Sequence, residues 1–138
     1  MFLRRFLIGK IHRATVTGAE VNYVGSITID QDLLDASGIL PLEEVEVWDV
    51  MNGSRLTTYV LPGPRASGEV TLNGAAARKV HPGDQVIICA FASCDGATAP
   101  PAEVRVVIPD AQNRVERVMT YRVDPATGAF LRDDATGR

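Results

Sequence analysis

The 138-residue sequence predicts a mainly β protein, a small barrel carrying one or two short helices. Three observations lead there. Apolar and β-branched residues gather in short runs, Gly, Pro, Asn and Asp interrupt those runs at close intervals, and a helix start and stop flank one short stretch.

Leu7 to Val16 mixes β-branched and polar residues and reads as a strand, and Tyr23 to Ile29 resumes that character after Gly18. Asp30 is suited to cap a helix over Gln31 to Ser37, with Gly38 as its stop and Leu33, Leu34 and Ile39 turned to the body. Glu44 to Met51 alternates as a strand does. Asn52-Gly53 suits a type I′ turn, whose two central residues both need positive φ, and Arg55 to Leu61 returns as the partner strand, ended by Pro62-Gly63-Pro64.

Glu69 to Leu72 is the next strand. Asn73-Gly74 is a second tight turn, and Ala75, Ala76 and Ala77 begin a helical turn. The turn His81-Pro82-Gly83-Asp84 feeds Gln85 to Ala92, which is apolar on both faces and therefore central. A Gly/Ala/Pro loop follows, then strands over Glu103 to Ile108 and Val115 to Val123. One domain is expected over residues 1–123. Residues 124–138 have little apolar content and are expected to form a disordered tail.

Composition narrows the function. A formal charge of −3 with no basic block leaves nothing to track a phosphate backbone, so no nucleic-acid partner is expected. In the N-terminal ten residues the longest uncharged stretch is Phe6 to Gly9, too short for a signal peptide, and nothing approaches a membrane span. A cytoplasmic protein without a membrane partner is the expectation. Cys89 and Cys94 have neither redox nor zinc spacing, and with only His12 and His81 beside them no metal site is expected.

The sequence contains no P-loop, nucleophile elbow, HExxH or dinucleotide fingerprint. Three polar islands remain: Gly9 to Arg13, Tyr23 to Ser26, and Asn52 to Tyr59. Gly25-Ser26 is weak alone, since a turn explains it, but its chemistry is specific. A serine Oγ can attack the carbonyl before it, and β-elimination of the resulting ester leads to an N-terminal pyruvoyl group. A preceding glycine tolerates unusual backbone angles and leaves the carbonyl open. Arg55 and Tyr59 share one strand face, offering a carboxylate partner and a proton donor. Exposed Arg and Tyr on a hairpin are also ordinary. Four residues separate them by about 13 Å, longer than an aspartate, so the side chains must converge or a second subunit must contribute.

Taken together, Gly9-Lys10-Ile11-His12-Arg13, Tyr23-Val24-Gly25-Ser26, Ile29-Asp30-Gln31-Asp32, Ala36-Ser37-Gly38-Ile39-Leu40, Trp48, Asn52-Gly53, Arg55, Thr58-Tyr59, Asn73-Gly74-Ala75-Ala76-Ala77 and Gly83-Asp84 resemble the pyruvoyl-dependent aspartate 1-decarboxylases. These motifs run in order through roughly the first two thirds of the chain. The resemblance implies a double-psi β-barrel, which the Pro82-Gly83-Asp84 turn suits, assembled as a homotetramer with sites at subunit interfaces. It implies self-cleavage of a zymogen into residues 1–25 and 26–138, and a pyruvoyl group derived from Ser26 as cofactor, with neither metal nor pyridoxal phosphate.

The implied activity is decarboxylation of L-aspartate to β-alanine and CO₂ through a Schiff base, for pantothenate biosynthesis. Ser26 and Tyr59 are then the catalytic positions, with Tyr59 as proton donor. Gly25, Ser26 and Thr58 serve cleavage, while Lys10, Arg55, Thr58, Gly74, Ala75 and Ala76 contact substrate. A maturation factor is compatible with this scheme. Val24 departs from the polar residue some relatives carry before the cleaved glycine, and Thr58 faces away from Tyr59 unless a bulge or an interface intervenes. The alternatives are a pyruvoyl decarboxylase of another amino acid and a non-enzymatic β-barrel binding module.

Overall fold

A computed structural model describes residues 1–97 and 100–136. Ten strands follow in chain order: β1 Leu3–Thr15, β2 Gly18–Glu20, β3 Ser26–Asp30, β4 Glu44–Asp49, β5 Arg55–Gly63, β6 Val70–Asn73, β7 Gln85–Asp95, β8 Val104–Pro109, β9 Val115–Val123 and β10 Phe130–Thr136. A single α-helix, α1 (Gln31–Ser37), and a 3₁₀ turn over Gly74–Arg78 complete the described elements. The protein is mainly β, as its punctuated sequence implies.

The strands form one sheet in the order β10-β9-β8-β1-β7-β4-β5-β3-β6-β2. Its two ends meet because β2 continues β1: at the join, Thr17 N donates to Val70 O (2.8 Å) and Val70 N to Thr17 Oγ1 (3.0 Å). The chain from Leu3 to Glu20 is thus both the first and the last member of a ring through β7, β4, β5, β3 and β6. The sheet closes as a barrel, from which β8, β9 and β10 extend as a branch ending at β10.

Alternation places the core inside that ring. Ile11, Ile27, Val45, Val47, Val60, Leu72, Val86 and Ile88 are all buried and point inward. The strand apolar on both faces, β7, lies between β1 and β4, in the interior of the sheet. Helix α1 closes one part of the core with Leu33 and Leu34. Asp30 caps it by accepting from Asp32 N, and Gly38 ends it at φ 76° while donating to Leu34 O, both as their residue types require.

Four sequence expectations are corrected. The Asn52-Gly53 loop is not type I′, because only Gly53 has positive φ. Asp49 Oδ1 accepts from Met51 N and Asn52 N, and this side-chain turn replaces the tight one. Residues 23–25 precede β3 as a turn, and β5 continues through Pro62 to Gly63. Residues 124–136 do not form a disordered tail: β10 pairs with β9 from Phe130↔Val123 to Thr136↔Arg117. Arg117–Asp134 and Arg122–Asp133 ion pairs and an edge-on Tyr121–Phe130 contact link the two strands of this hairpin, and Val115 and Val118 pack β9 against the core. Residues 137 and 138 of the expected tail lie outside the described residues.

At the end of β4, Asp49 is buried with Oδ2 lacking a donor, within reach of the Asp84 carboxylate. Burial first, and Asp84 second, raise Asp49, while the bond from Asp49 holds Asp84 down. One proton shared by the two oxygens accounts for both directions. The raised Asp49 stabilises most below the ordinary aspartate value and loses this as pH rises through its folded value. The depressed Asp84 stabilises above that ordinary value and loses this as pH falls through its own. Asp49→Asn keeps the Oδ1 acceptor and removes the repulsion of two charges. Its urea midpoint is expected to exceed the parent's at about pH 8 and to lose that advantage near pH 4, about the ordinary aspartate range. An equal difference at both pH values would exclude a shared proton.

Candidate active site

The site is built where β3 begins. Ser26 is fully buried (0% exposed) and pairs with Asn73 across the β3·β6 ladder. Asn73, 4% exposed, donates from Nδ2 to Ser26 Oγ at 3.0 Å and to Thr28 Oγ1 at 3.1 Å. Ser26 Oγ in turn makes a long contact of 3.4 Å as donor to Val24 O. The serine oxygen is therefore oriented by a neutral amide and lies beside the backbone of the residues preceding it. Val24 meets it only through its carbonyl; the valine side chain is 71% exposed and points away.

On the other side of β3 runs β5, in parallel. Ile27 is level with Val60, so one residue earlier Ser26 is level with Tyr59. Ile27 and Val60 point inward, which turns Ser26 and Tyr59 to the outer wall. Tyr59 is partly exposed there, and Glu44 is its cross-strand neighbour on β4. Gly74, Ala75 and Ala76 begin the 3₁₀ turn directly after Asn73, with Gly74 buried against the 23–25 turn. Gly25, Ser26, Tyr59 and Gly74 to Ala76 are thus gathered around one point of the wall.

Lys10 and Arg55 lie further along that wall. The register aligns Lys10, Cys89, Glu46 and Thr57 in one row across β1, β7, β4 and β5, and His12, Ile87, Trp48 and Arg55 in the next. Thr57 Oγ1 donates to Glu46 Oε2. The Arg55 guanidinium stacks on Trp48, 4.4 Å from the ring centroid. Burial pushes the Cys89 thiol up to about 11, Lys10 and Arg55 pulling against it and Glu46 adding to it, so Cys89 stays protonated and unreactive. Burial, then Lys10 and Arg13, lower His12, which keeps its imidazole neutral near neutral pH.

Thr58 does not join this face. The β4·β5 ladder runs from Glu44↔Tyr59 to Trp48↔Arg55 without a register shift, so no bulge turns Thr58 outward, and its partner is the buried Val45. Nor does one protomer bring Arg55 to Ser26, since the four-residue offset between Arg55 and Tyr59 persists. Asn73, among the described residues the only side chain bonded to Ser26 Oγ, carried no sequence signal of its own as a partner: 47 residues separate them. Glu46 and Trp48 likewise gain a place only from the register. Among the described residues no group of three or more His, Cys, Asp or Glu side chains converges as metal donors, and no helix is long and apolar enough to cross a membrane.

A small barrel with an exposed glycine leading into a buried serine on its wall, a tyrosine and a carboxamide on the strands either side, and Lys10 and Arg55 one and two rows away, defines a class of compact β-barrel protein whose polar groups gather on the barrel wall. The profile of one family, aspartate decarboxylase, matches residues 2–116. The chain is 55% identical over 127 residues to the aspartate 1-decarboxylase of Carboxydothermus hydrogenoformans, covering 92% of this chain and 99% of that protein. It is 54% identical over 115 residues to the aspartate 1-decarboxylase of Clostridium beijerinckii, covering 83% and 93%. The chain belongs to the aspartate decarboxylase family.

Asn73→Ala removes the side-chain bond to Ser26 Oγ and leaves a buried hydroxyl, Ser26, and a half-buried one, Thr28, without this donor. The expected loss is about 1–3 kcal/mol in denaturant unfolding. An unchanged unfolding midpoint would show that the carboxamide contributes nothing to holding the serine.

Proposed function

We propose that this chain decarboxylates L-aspartate to β-alanine and CO₂, supplying β-alanine for pantothenate biosynthesis in the cytoplasm, and that it does so with a pyruvoyl group made from its own Ser26. The observation that carries this reading is the buried Ser26 Oγ, held by Asn73 beside the backbone of residues 24 and 25. Family membership gives the reaction its substrate.

Maturation balances without an external oxidant. Ser26 Oγ adds to the Gly25 carbonyl carbon, the C–N bond breaks, and the hydroxyl proton ends on the freed amine, leaving an ester. Loss of the residue 26 α-proton then expels Gly25 as a carboxylate and leaves dehydroalanine. Its imine tautomer takes up one water and releases ammonia, giving the ketone. Asn73 Nδ2 is placed to stabilise negative charge growing on Oγ.

The residues fit such a group: the position is buried, its bonded neighbours are neutral, and among the described residues no charged side chain is bonded to it. Once formed, the pyruvoyl supplies a carbonyl sink for the electron pair released as CO₂ leaves. Tyr59, level with residue 26, is the group that returns a proton to the substrate carbon. Arg55, stiffened by its stack on Trp48, and Lys10 are the carboxylate partners, while Gly74, Ala75 and Ala76 form the backbone wall. Thr58 takes part in cleavage through the backbone it shares with Tyr59 or through an interface. The distance of Arg55 from Ser26 within one chain supports a homotetramer whose sites lie between subunits, one chain giving Ser26 and another the cations.

Mature protein is expected to contain residues 1–25 with a free carboxylate and residues 26–138 beginning with a ketone. Intact mass spectrometry reads this directly, and a wholly uncut chain that makes β-alanine would overturn the proposal. Tyr59→Phe keeps the ring and is expected to cleave normally while turnover falls by about 10²–10⁴. Arg55→Ala is expected to lose about one to two decades in kcat/KM for aspartate, equal to about 1.5–3 kcal/mol. Parent kinetics in either variant would remove that residue from the reaction. An intact chain with no lyase activity would favour a binding module.

A further inference from the structure

Gly74 was grouped by resemblance with the substrate-contacting turn, yet its nearest surroundings are the segment to be cut. A methyl group on its Cα would stand 2.6 Å from Gly25 Cα, 2.9 Å from Gly25 N and 3.0 Å from Tyr23 O. All three are backbone atoms, which cannot swing aside as a side chain does. The φ of 68° at Gly74 adds a second reason for glycine. At Gly25 neither reason holds: its φ is not positive, and a methyl there would find only Asn73 O at 3.9 Å. The steric demand for glycine falls opposite the cut, not before it.

Residues 73 and 74 therefore divide the work between them. Asn73 holds the Ser26 oxygen, and the bare Cα of Gly74 lets the 23–25 turn seat against the end of β6. We infer that Gly74 is a positioning residue for maturation, setting the Gly25 carbonyl against Ser26 Oγ. This rests on the self-cleavage reading proposed above. The attack closes a ring of few atoms within adjacent residues, where a displacement near 1 Å removes most of the advantage of proximity.

The test follows self-cleavage of freshly purified full-length precursor by intact mass, in parent, Gly74→Ala, Gly74→Asn and Gly83→Ala. Gly83 has φ 94° with nothing within 4 Å of a built methyl, so it controls for left-handed strain alone. Asparagine tolerates positive φ but keeps a Cβ, so Gly74→Asn retains the contact with less strain if Gly74→Ala folds poorly. The two Gly74 variants are expected to fold, judged by circular dichroism, and to cleave more slowly by about tenfold to a hundredfold. Gly83→Ala is expected to cleave at the parent rate. Normal cleavage in either folded Gly74 variant overturns the inference, as does equal slowing in Gly83→Ala. Failure of both Gly74 variants to fold would make the glycine a requirement of the fold and overturn it too. A parent chain that never cleaves would instead sink the self-cleavage reading, and this inference with it.

Discussion

The closure of the barrel at Thr17 and Val70 is the constraint on which the rest of the wall depends. Thr17 N donates to Val70 O, and Val70 N returns to Thr17 Oγ1, joining the run that leaves β1 to the start of β6. From that joint β2 pairs with β6 in parallel, and β6 is fixed against β3. The register that sets Ser26 opposite Asn73 is thereby inherited from a contact at the other end of β6. A slip of one residue would turn Leu72 outward and Asn73 into the core, so inner packing and outer chemistry enforce the same alignment. Ile27 and Val60 do the same for β3 and β5, and through them for Ser26 and Tyr59.

The outer wall sorts its groups by charge. Around Ser26 the partners are neutral: a carboxamide, a threonine hydroxyl and backbone carbonyls. Lys10, Glu46 and Arg55 lie in rows further along, where Glu46 is placed to temper the two cations and Trp48 supports the guanidinium. Cys89, in the same row as Lys10 and Glu46, is kept as an inert thiol by burial. The two cations therefore lie away from the serine, whose own row carries the carboxylates of Glu44 and Glu20 at its flanks.

Much of this was legible in the sequence where the determinants are local. Asp30 and Gly38 bracket α1 with their own side chain and backbone preferences, and β7 reads as central because nothing polar interrupts it. The misreadings share a physical origin in distant or side-chain partners. The Asn52-Gly53 loop is set by the Asp49 carboxylate rather than by paired positive φ. The hairpin of β9 and β10 is held by cross-strand charge pairs and a ring contact, so apolar content underestimated it. At the site, Gly25, Ser26 and Tyr59 were recognisable as a motif. Asn73 stood in a motif too, but its bond to Ser26 and the steric role of Gly74 were not legible, since both depend on a segment nearly fifty residues earlier meeting the end of β6.

On the function proposed above, a serine that first cuts its own chain and then becomes a cofactor faces two requirements in succession. Before the cut, only neighbours that orient a neutral hydroxyl and a neutral carbonyl are useful. After the cut, charge becomes useful, but only where it does not hold the carboxylate that must lose its charge as CO₂, since holding the ground state more tightly than the transition state slows the reaction. Within one chain the layout serves the first requirement, with neutral groups bonded to residue 26 and cations removed along the strands; the second falls, in the proposed assembly, to the cations of another chain. The rigid spacing of a closed barrel maintains that separation, because moving Arg55 toward Ser26 within one chain would mean breaking the register that buries Val45, Val47 and Val60.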